Sequence, residues 1–146
     1  MYSGYRGMGR GLGRGMGRRA FPMQNMPNIP PPGEGVFRVV ATLDGNLAFN
    51  SPISYRFARA PYVGILDLRD GRVLNLQIIP NSLATGAGGV GIALAQWIIS
   101  IGAAAVLGSR FGPNLMMVLQ QTNIRTYTVN PGIPLSEAVK VLGVHV

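Results

Sequence analysis

Glycines surround the predicted start of a helix at Gly86–Gly91, a pattern that can hold an anion. Glycine lets backbone N–H groups approach a ligand closely, and the first turn of a helix has unpaired donors and a dipole that favour negative charge. The same glycines equally permit close packing of the helix on a sheet, so the pattern leaves both interpretations open. A dinucleotide site is excluded, because the segment follows the third predicted strand and no acidic residue stands about twenty residues downstream.

Two predicted loops carry arginines and no carboxylate. Arg56 and Arg59 lie between the first two predicted strands, and Arg110 lies between the fourth strand and the next helix. Because loops at the carboxyl ends of strands converge in α/β sheets, we expect these arginines to face one crevice. A planar guanidinium group suits oxyanions, although a solvated surface position is the usual fate of an arginine.

The residue types exclude several catalytic and metal sites. The chain has no cysteine, and its one histidine, His145, lies in the C-terminal segment, so thiolate sites and a Ser–His–Asp triad are excluded. A two-metal nuclease needs several carboxylates at one point, and only Asp44 and Asp67 could approach each other on neighbouring strands. Met116 and Met117 stand at helical positions typical of core filler. We therefore expect a protein that is not an enzyme.

The composition of the chain changes at about residue 35. Its 146 residues suit one domain and carry a formal net charge of +8. A four-residue glycine and arginine repeat occupies residues 7–18, and a proline-rich stretch follows it. No apolar periodicity offsets the backbone entropy of these glycines. We therefore expect a disordered tail over residues 1–35 and one folded domain over residues 36–146.

The basic tail supports an alternative function in nucleic-acid binding. Five arginines without an acidic neighbour would carry it: Arg6, Arg10, Arg14, Arg18 and Arg19. Gly/Arg segments bind backbone phosphate without reading sequence, so weak RNA binding or partner binding is the expected activity. A solubilising extension explains the same composition, because attraction to phosphate is common to any basic tail.

The apolar pattern after residue 35 predicts the element order β-β-β-α-β-α-β-α. Strands are predicted at Val36–Leu43, Tyr62–Leu68, Val73–Ile79, Ala103–Leu107 and Ile124–Val129, with an Asp70-Gly71 hairpin turn after the second. Helices are predicted at Gly89–Ile101, Pro113–Thr122 and Pro134–Leu142. A meander followed by two α-β units predicts an α/β fold in which helices cover the faces of a mixed sheet.

The uncharged run over residues 73–109 is long enough to raise the question of a membrane span. Gly102 interrupts it, and a buried helix followed by a buried strand gives the same apolar pattern. We therefore expect no membrane segment and a cytoplasmic location. The few charges of the core also leave a homo-oligomeric scaffold open.

Four motifs in order resemble those of the dinitrogenase iron–molybdenum cofactor-binding family. Residues 51–62 resemble its SPxxxRFGRAPY segment, and residues 88–96 resemble its GGAGI..AQ helix start. Residues 112–114 and 124–127 resemble its GPNA loop and its GIKVY strand. The likeness covers about residues 36–142. It implies an RNase H-like α/β fold and the binding or carriage of anionic metal–sulfur cofactors, including the nitrogenase cofactor.

The chain departs from the family pattern where a metal ligand could stand. Some members have histidine where this chain has Arg56, and a histidine often found in the glycine loop is missing. Ala58 replaces a glycine of the first motif. Ligation of a metal by Cys or His of the core is therefore excluded, and non-covalent capture of an anion remains.

These observations predict a non-catalytic binding or carrier protein for an anionic metal–sulfur cofactor or a similar oxyanion or thioanion. Arg56 and Arg59 would neutralise charge, and Asn114 would add a polar contact. Backbone N–H groups would come from Gly86, Gly88 and Gly89. The expected cofactor is an iron–molybdenum cluster or another molybdenum or iron sulfide cluster, held non-covalently and delivered to a partner protein.

Overall fold

A five-stranded mixed sheet with the order β3-β2-β1-β4-β5 forms the centre of the protein in a computed structural model that describes residues 26–146. The strands are β1 (Phe37–Leu43), β2 (Tyr62–Arg69), β3 (Arg72–Pro80), β4 (Ala105–Gly108) and β5 (Arg125–Thr128). β2 runs antiparallel to β1 and β3, whereas β4 runs parallel to β1 and β5. The last residues of β1, β3, β4 and β5 therefore lie together, at what we call the carboxyl end of the sheet.

Helices cover both faces of this sheet. Helices α1 (Val90–Ser100) and α2 (Pro113–Gln121) pack on one face, and α3 (Leu135–Ala138) with a 3₁₀ turn at Val139–Leu142 packs on the other. Strand side chains alternate between the two cores: Val40 lies in the core under α1, and its neighbours in β1 lie in the core under α3. The α/β class, the element order and the mixed sheet are as the sequence predicts.

Residues with left-handed backbone conformations form two of the turns between these elements. Asp70 and Gly71 have φ values of 54° and 77° between β2 and β3, the left-handed backbone that a two-residue hairpin requires. Gly102 has a φ of 72° directly after α1. A Cβ atom there would lie 2.9 Å from Cδ of Pro32, so both the conformation and the close approach of the proline-rich segment require glycine.

All eight elements differ from their predicted bounds by at least one residue, and the largest differences are in the last helix and in β4. The last helix keeps α geometry only over Leu135–Ala138 and continues as a 3₁₀ turn, because Val139 and Val141 are β-branched and disfavour further α-helical turns. β4 begins at Ala105 rather than Ala103, and α1 ends at Ser100. The uncharged run over residues 73–109 divides among β3, α1 and β4. Within residues 26–146, no helix has the length and apolarity that crossing a bilayer requires.

The proline-rich segment packs on the domain, in contrast to the disorder expected as far as Gly35. Met26 is 7% exposed, and Trp97 Nε1 donates to the Pro27 carbonyl at 2.9 Å. Prolines lose little backbone entropy on packing, and their carbonyls still accept hydrogen bonds, so a segment without apolar periodicity can be ordered. The expected disorder therefore does not hold for residues 26–35. Residues 1–25 lie outside the described residues, and their disorder stays a prediction.

Arg38 on β1 joins four parts of the chain. Its Nε and Nη2 atoms donate to the two carboxylate oxygens of Asp67 at 2.8 and 3.0 Å, a two-point ion pair. Its Nη1 atom donates to the carbonyls of Ile101 at 2.7 Å and Pro30 at 2.9 Å. A residue that is 7% exposed thus links β1, β2, the end of α1 and the proline-rich segment.

Candidate functional site

Three chain segments meet at the carboxyl end of the sheet and enclose a pocket of about 390 Å³. They are the loop before β2, the first turn of α1, and the loop from β4 into α2. The lining residues are Tyr55, Arg56, Phe57, Ala58, Arg59, Val90, Gly91, Arg110, Gly112, Pro113, Asn114 and Leu115. We call this cavity the arginine pocket. Its position agrees with the rule that ligands bind where loops converge at the carboxyl ends of strands.

All the charged residues that line the arginine pocket are positive. Arg56, Arg59 and Arg110 line it, and no lining residue is acidic. The two ion pairs found within residues 26–146 use Arg38 and Lys140 instead, so the pocket arginines have no carboxylate partner in that range. Arg56 stands over the Tyr55 ring, 5.2 Å from its centroid, which holds the guanidinium by a cation–π contact. Three unneutralised guanidinium groups around one cavity favour a bound anion.

Arg59 has a second role, because it also fixes the glycine loop. Its Nη1 atom donates to the carbonyls of Ala84 at 3.0 Å and Gly86 at 2.9 Å. Asn81 holds the other side of this junction, since its Nδ2 atom donates to the carbonyls of Ala58 and Ala60 at 2.9 and 2.8 Å. The Arg59 loop and the glycine loop therefore form one hydrogen-bonded unit. The Nε and Nη2 donors of Arg59 remain for a ligand.

The structure brings Arg56, Arg59 and Asn114 together in the pocket lining, whereas none of the three predicted glycines lines it. A Cβ atom on Gly86 would lie 2.8 Å from Cγ1 of Val90, so Gly86 permits close packing of the helix start. Gly88 and Gly89 are exposed, with nothing within 4 Å of their Cβ positions. Donation of their N–H groups to a ligand stays a prediction. The start of α1 contributes Val90 and Gly91 to the lining instead.

An aromatic pair joins two of the loops that form the pocket, and one of its members, Phe57, lines the pocket. The rings of Phe57 and Phe111 lie 4.9 Å apart between centroids. A Cβ atom on Gly108, at the end of β4, would lie 2.8 Å from Cδ1 of Phe57, so only glycine leaves room for this pair. Ser109 Oγ donates to the Ser54 carbonyl at 2.8 Å and ties the same two loops.

The sequence pattern predicts that Arg110 faces the same crevice as Arg56 and Arg59, and Arg110 lines the pocket, but the prediction does not include the roles of Phe57 and Phe111. A signal for them exists, because both loops contain an Arg-Phe pair, at residues 56–57 and at residues 110–111. In both loops the arginine is exposed, whereas Phe57 is buried and Phe111 is partly buried. The predicted nucleic-acid-binding arginines all lie outside the described residues: Arg6, Arg10, Arg14, Arg18 and Arg19.

Acidic residues do not converge within the described part of the chain. The approach of Asp44 to Asp67 that the strand order allowed is wrong. Asp67 pairs with Arg38 near the start of β1, whereas Asp44 follows Leu43 at the opposite end of that strand. No group of three or more His, Cys, Asp or Glu residues stands close enough to hold a metal ion within residues 26–146. The pocket itself offers guanidinium groups, an amide and backbone atoms.

A family model described as dinitrogenase iron-molybdenum cofactor matches residues 38–143. That match includes all three arginines of the pocket and the strands of the sheet except the first residue of β1. An uncharacterised protein from Methanocaldococcus jannaschii is 29% identical over 92 residues, which cover 63% of this chain and 77% of that protein.

Two solved structures are similar to the fold described above. The apo form of the orange protein from Desulfovibrio gigas has a TM-score of 0.64 and 24% identity, and the likeness covers 72% of this chain and 85% of that chain. An NMR structure from Thermotoga, described as a candidate NifB protein of the DUF35 family, has a TM-score of 0.59 and 27% identity, covering 73% and 87%. At its level of identity, the likeness to the orange protein is one of fold alone.

Proposed function

We propose, from the premise that this chain belongs to the dinitrogenase iron-molybdenum cofactor family, that the arginine pocket binds an anionic metal–sulfur cluster non-covalently and carries it without catalysing a reaction. The observation that carries the proposal is the set of three arginines around a pocket with no acidic lining residue. We further propose that the strand order 3-2-1-4-5 is the RNase H-like arrangement that the family resemblance implies.

The walls of the pocket favour a large, weakly hydrated anion. Phe57, Val90 and Leu115 make part of the lining apolar. A strongly hydrated oxyanion loses its water there at a high cost, whereas a sulfide surface loses less. Guanidinium groups are themselves weakly hydrated and present planar pairs of donors, so they match such a surface. Exclusion of water by the apolar walls also strengthens the attraction between the arginines and the anion.

Non-covalent capture suits a carrier. Guanidinium contacts can be released without breaking a metal–ligand bond, and the pocket opens at the carboxyl end of the sheet. A partner protein with stronger ligands could therefore take the cluster directly. Arg56 and Arg110, which belong to two different walls, would hold the anion between them. Arg59 would add its free donors while keeping the glycine loop in place.

A titration with tetrathiomolybdate, a tetrahedral thioanion, tests this function. The full chain is compared with an Arg56→Ala/Arg110→Ala variant, and binding is followed by the absorption of the anion. Loss of two charge-assisted contacts of about 1.5 kcal/mol each predicts binding about 100-fold weaker. Molybdate has the same shape and charge with a stronger hydration shell, so we expect it to bind more weakly than tetrathiomolybdate.

The matched control is Arg72→Ala/Arg125→Ala, which removes the same charge from the opposite end of the sheet. It should bind tetrathiomolybdate nearly as well as the unmodified chain. If the pocket variant and this control bind equally, the arginine pocket is not the site. Equal binding of molybdate and tetrathiomolybdate would contradict the preference for a weakly hydrated anion.

A further inference from the structure

The hydroxyl group of Thr42 is buried near the carboxyl end of the sheet without a hydrogen-bond partner. Thr42 is 0% exposed, and its Oγ1 atom has no partner within residues 26–146. A hydroxyl can both donate and accept, so burying it unpaired destabilises the fold. Since the large majority of buried side-chain polar atoms are hydrogen-bonded, this exception calls for a physical explanation.

The strand register shows which face of the sheet the Thr42 side chain occupies. Thr42 pairs with Val63 of β2 and lies two residues after Val40 in β1. Both valines belong to the core under α1. Because residues two apart in a strand and residues paired across strands share a face, the Thr42 side chain lies on the α1 side of the sheet. That is the side on which the arginine pocket is built.

Phe57 stands between this side chain and the arginine pocket. Beyond the last pair of β1 with β4, the same parallel register puts Thr42 beside Gly108. A Cβ atom on Gly108 would lie 2.8 Å from Cδ1 of Phe57, so the Phe57 ring lies against the sheet at this position. Phe57 also lines the pocket, whereas Thr42 does not. The ring therefore covers the part of the sheet that carries the unpaired hydroxyl.

Backbone and serine contacts fix Thr42 relative to two pocket arginines. The Ser54 N–H donates to the Thr42 carbonyl at 3.0 Å, and the Arg56 N–H donates to Ser54 Oγ at 3.1 Å. Ser109 Oγ, next to Arg110 in the chain, donates to the Ser54 carbonyl at 2.8 Å. The buried Ser54 thus joins Thr42 to both loops whose arginines are proposed to hold the anion.

We infer that Thr42 provides an inner contact of the arginine pocket, and that its hydroxyl donates to a sulfide or oxo atom of the bound anion once the Phe57 ring has turned away from the sheet. This inference rests on the proposed function, because it needs an anion between Arg56 and Arg110. Gly108 presents only backbone beneath the ring, so displacement of the ring opens a space that Thr42 borders. The hydroxyl then gains a charge-assisted hydrogen bond, which offsets part of the cost of moving the ring.

Two substitutions separate the hydroxyl of Thr42 from the packing of its side chain. Thr42→Val has nearly the same shape without the hydroxyl, whereas Thr42→Ser keeps the hydroxyl and loses the methyl group. For Thr42→Val in the full chain, we expect an equal or higher Tm without ligand, because no unpaired polar atom remains, and tetrathiomolybdate binding about tenfold weaker. For Thr42→Ser, we expect a lower Tm, because the lost methyl leaves a cavity, and binding close to that of the unmodified chain. Affinity then follows the hydroxyl while stability does not, which a residue that only packs would not produce.

Movement of the Phe57 ring has a spectroscopic signal of its own. The register places the Thr42 methyl group near this ring, whose ring current shifts the methyl resonance. Tetrathiomolybdate is diamagnetic, so methyl NMR of the threonine-labelled full chain can follow this resonance through a titration, and Thr42→Val identifies it by its loss. We expect the resonance to shift on saturation. An unchanged resonance in the saturated protein would show that the ring stays in place and would overturn the inference.

The outcomes distinguish this inference from the proposed function. If Arg56→Ala/Arg110→Ala binds tetrathiomolybdate like the unmodified chain, the proposed function fails and the inference fails with it. If that variant loses binding while Thr42→Val binds like the unmodified chain, only the inference is overturned. Equal losses of affinity in Thr42→Val and Thr42→Ser would also overturn it, because packing rather than the hydroxyl would then be responsible. A loss confined to Thr42→Val, together with the methyl shift, supports it.

Discussion

Arginine performs two different tasks in this protein, and burial separates them. Arg38 is enclosed, and its guanidinium donates to two carboxylate oxygens and two carbonyls. Arg56 and Arg110 are exposed and line a pocket without acidic residues. The first arginine stabilises the fold because its partners replace water completely, whereas the others stay available for a ligand.

Replacing Arg38 by methionine should destabilise the protein strongly. The change leaves the Asp67 carboxylate, whose side chain is 15% exposed, without its partner, and a broken buried ion pair costs about 3–5 kcal/mol. Urea unfolding of the full chain measures this loss. Lys140→Met is the matched control, because its pair with Glu137 joins side chains that are 53% and 55% exposed. That control should change the free energy of unfolding by less than about 1 kcal/mol. Similar losses in the two variants would contradict the role given to Arg38.

The sequence predicts the positions of the pocket arginines better than it predicts the burial of Arg38. The loop positions of Arg56 and Arg59 indicate a shared crevice, because strand ends and their loops can be read from the apolar pattern. Nothing in the sequence marks Arg38 as buried, since its partners Asp67 and Ile101 are 29 and 63 residues away along the chain. The type of Gly86 does not separate two roles, because glycine fits an anion loop and also permits the close packing against Val90 that the structure shows.

At the scale of elements, the pocket depends on how two loops are joined. The loop before β2 and the loop after β4 meet through the Phe57–Phe111 pair and the Ser109–Ser54 hydrogen bond. Both contacts lie directly beyond Gly108, the last residue of β4. The distance between Arg56 and Arg110 across the pocket is therefore set by the packing at this strand end.

Gly108→Ala should disturb the pocket as well as the fold. The added Cβ would lie 2.8 and 3.2 Å from two ring atoms of Phe57, so the ring must move at a cost of about 1–3 kcal/mol. We expect lower thermal stability and weaker tetrathiomolybdate binding. Gly112→Ala is the control for stability, because Gly112 has φ −68° and ψ 157° and nothing within 4 Å of its Cβ position. Equal stability of both variants would show that the Phe57 packing is not tight.

Strands and turns can be predicted from the sequence where their conformation depends on residues that are close together along the chain. Alternating apolar residues predict the strands, and Asp70-Gly71 predicts the hairpin turn, because both depend on near neighbours in sequence. The packing of residues 26–35 was not predictable, since it depends on Trp97 and Arg38, which no local pattern connects to prolines. The shortened α3 reflects the β-branched residues Val139 and Val141, whose effect on the helix the apolar pattern does not show.

At the scale of the whole molecule, the full chain carries a net charge of +8, and its described residues fold around two apolar cores. Mutual repulsion of the pocket arginines opposes the folded arrangement of the loops that carry them. A bound anion would remove this repulsion, so binding and stability should be coupled through the pocket.

Saturating tetrathiomolybdate should therefore stabilise the full chain against heat. At a free concentration of one hundred times Kd, linkage predicts about 2.7 kcal/mol of added stability. For a domain of this size, that raises Tm by roughly 5–15 °C. Thermal unfolding followed by circular dichroism measures the shift. Arg56→Ala/Arg110→Ala should show almost no shift at the same concentration. An equal rise in Tm for that variant would place the stabilising anion elsewhere on the protein.

The central position of β1 in the sheet has a consequence while the chain is being synthesised. β1 is made first, and its antiparallel partner β2 follows it closely, but its other neighbour, β4, pairs residue 39 with residue 105. Until residue 108 has left the ribosome, β1 therefore has one bare flank, whose backbone N–H and C=O groups have no partner strand. Such a flank invites pairing with other nascent chains. Chaperone contact with the emerging meander would protect this protein most between the synthesis of β3 and that of β4.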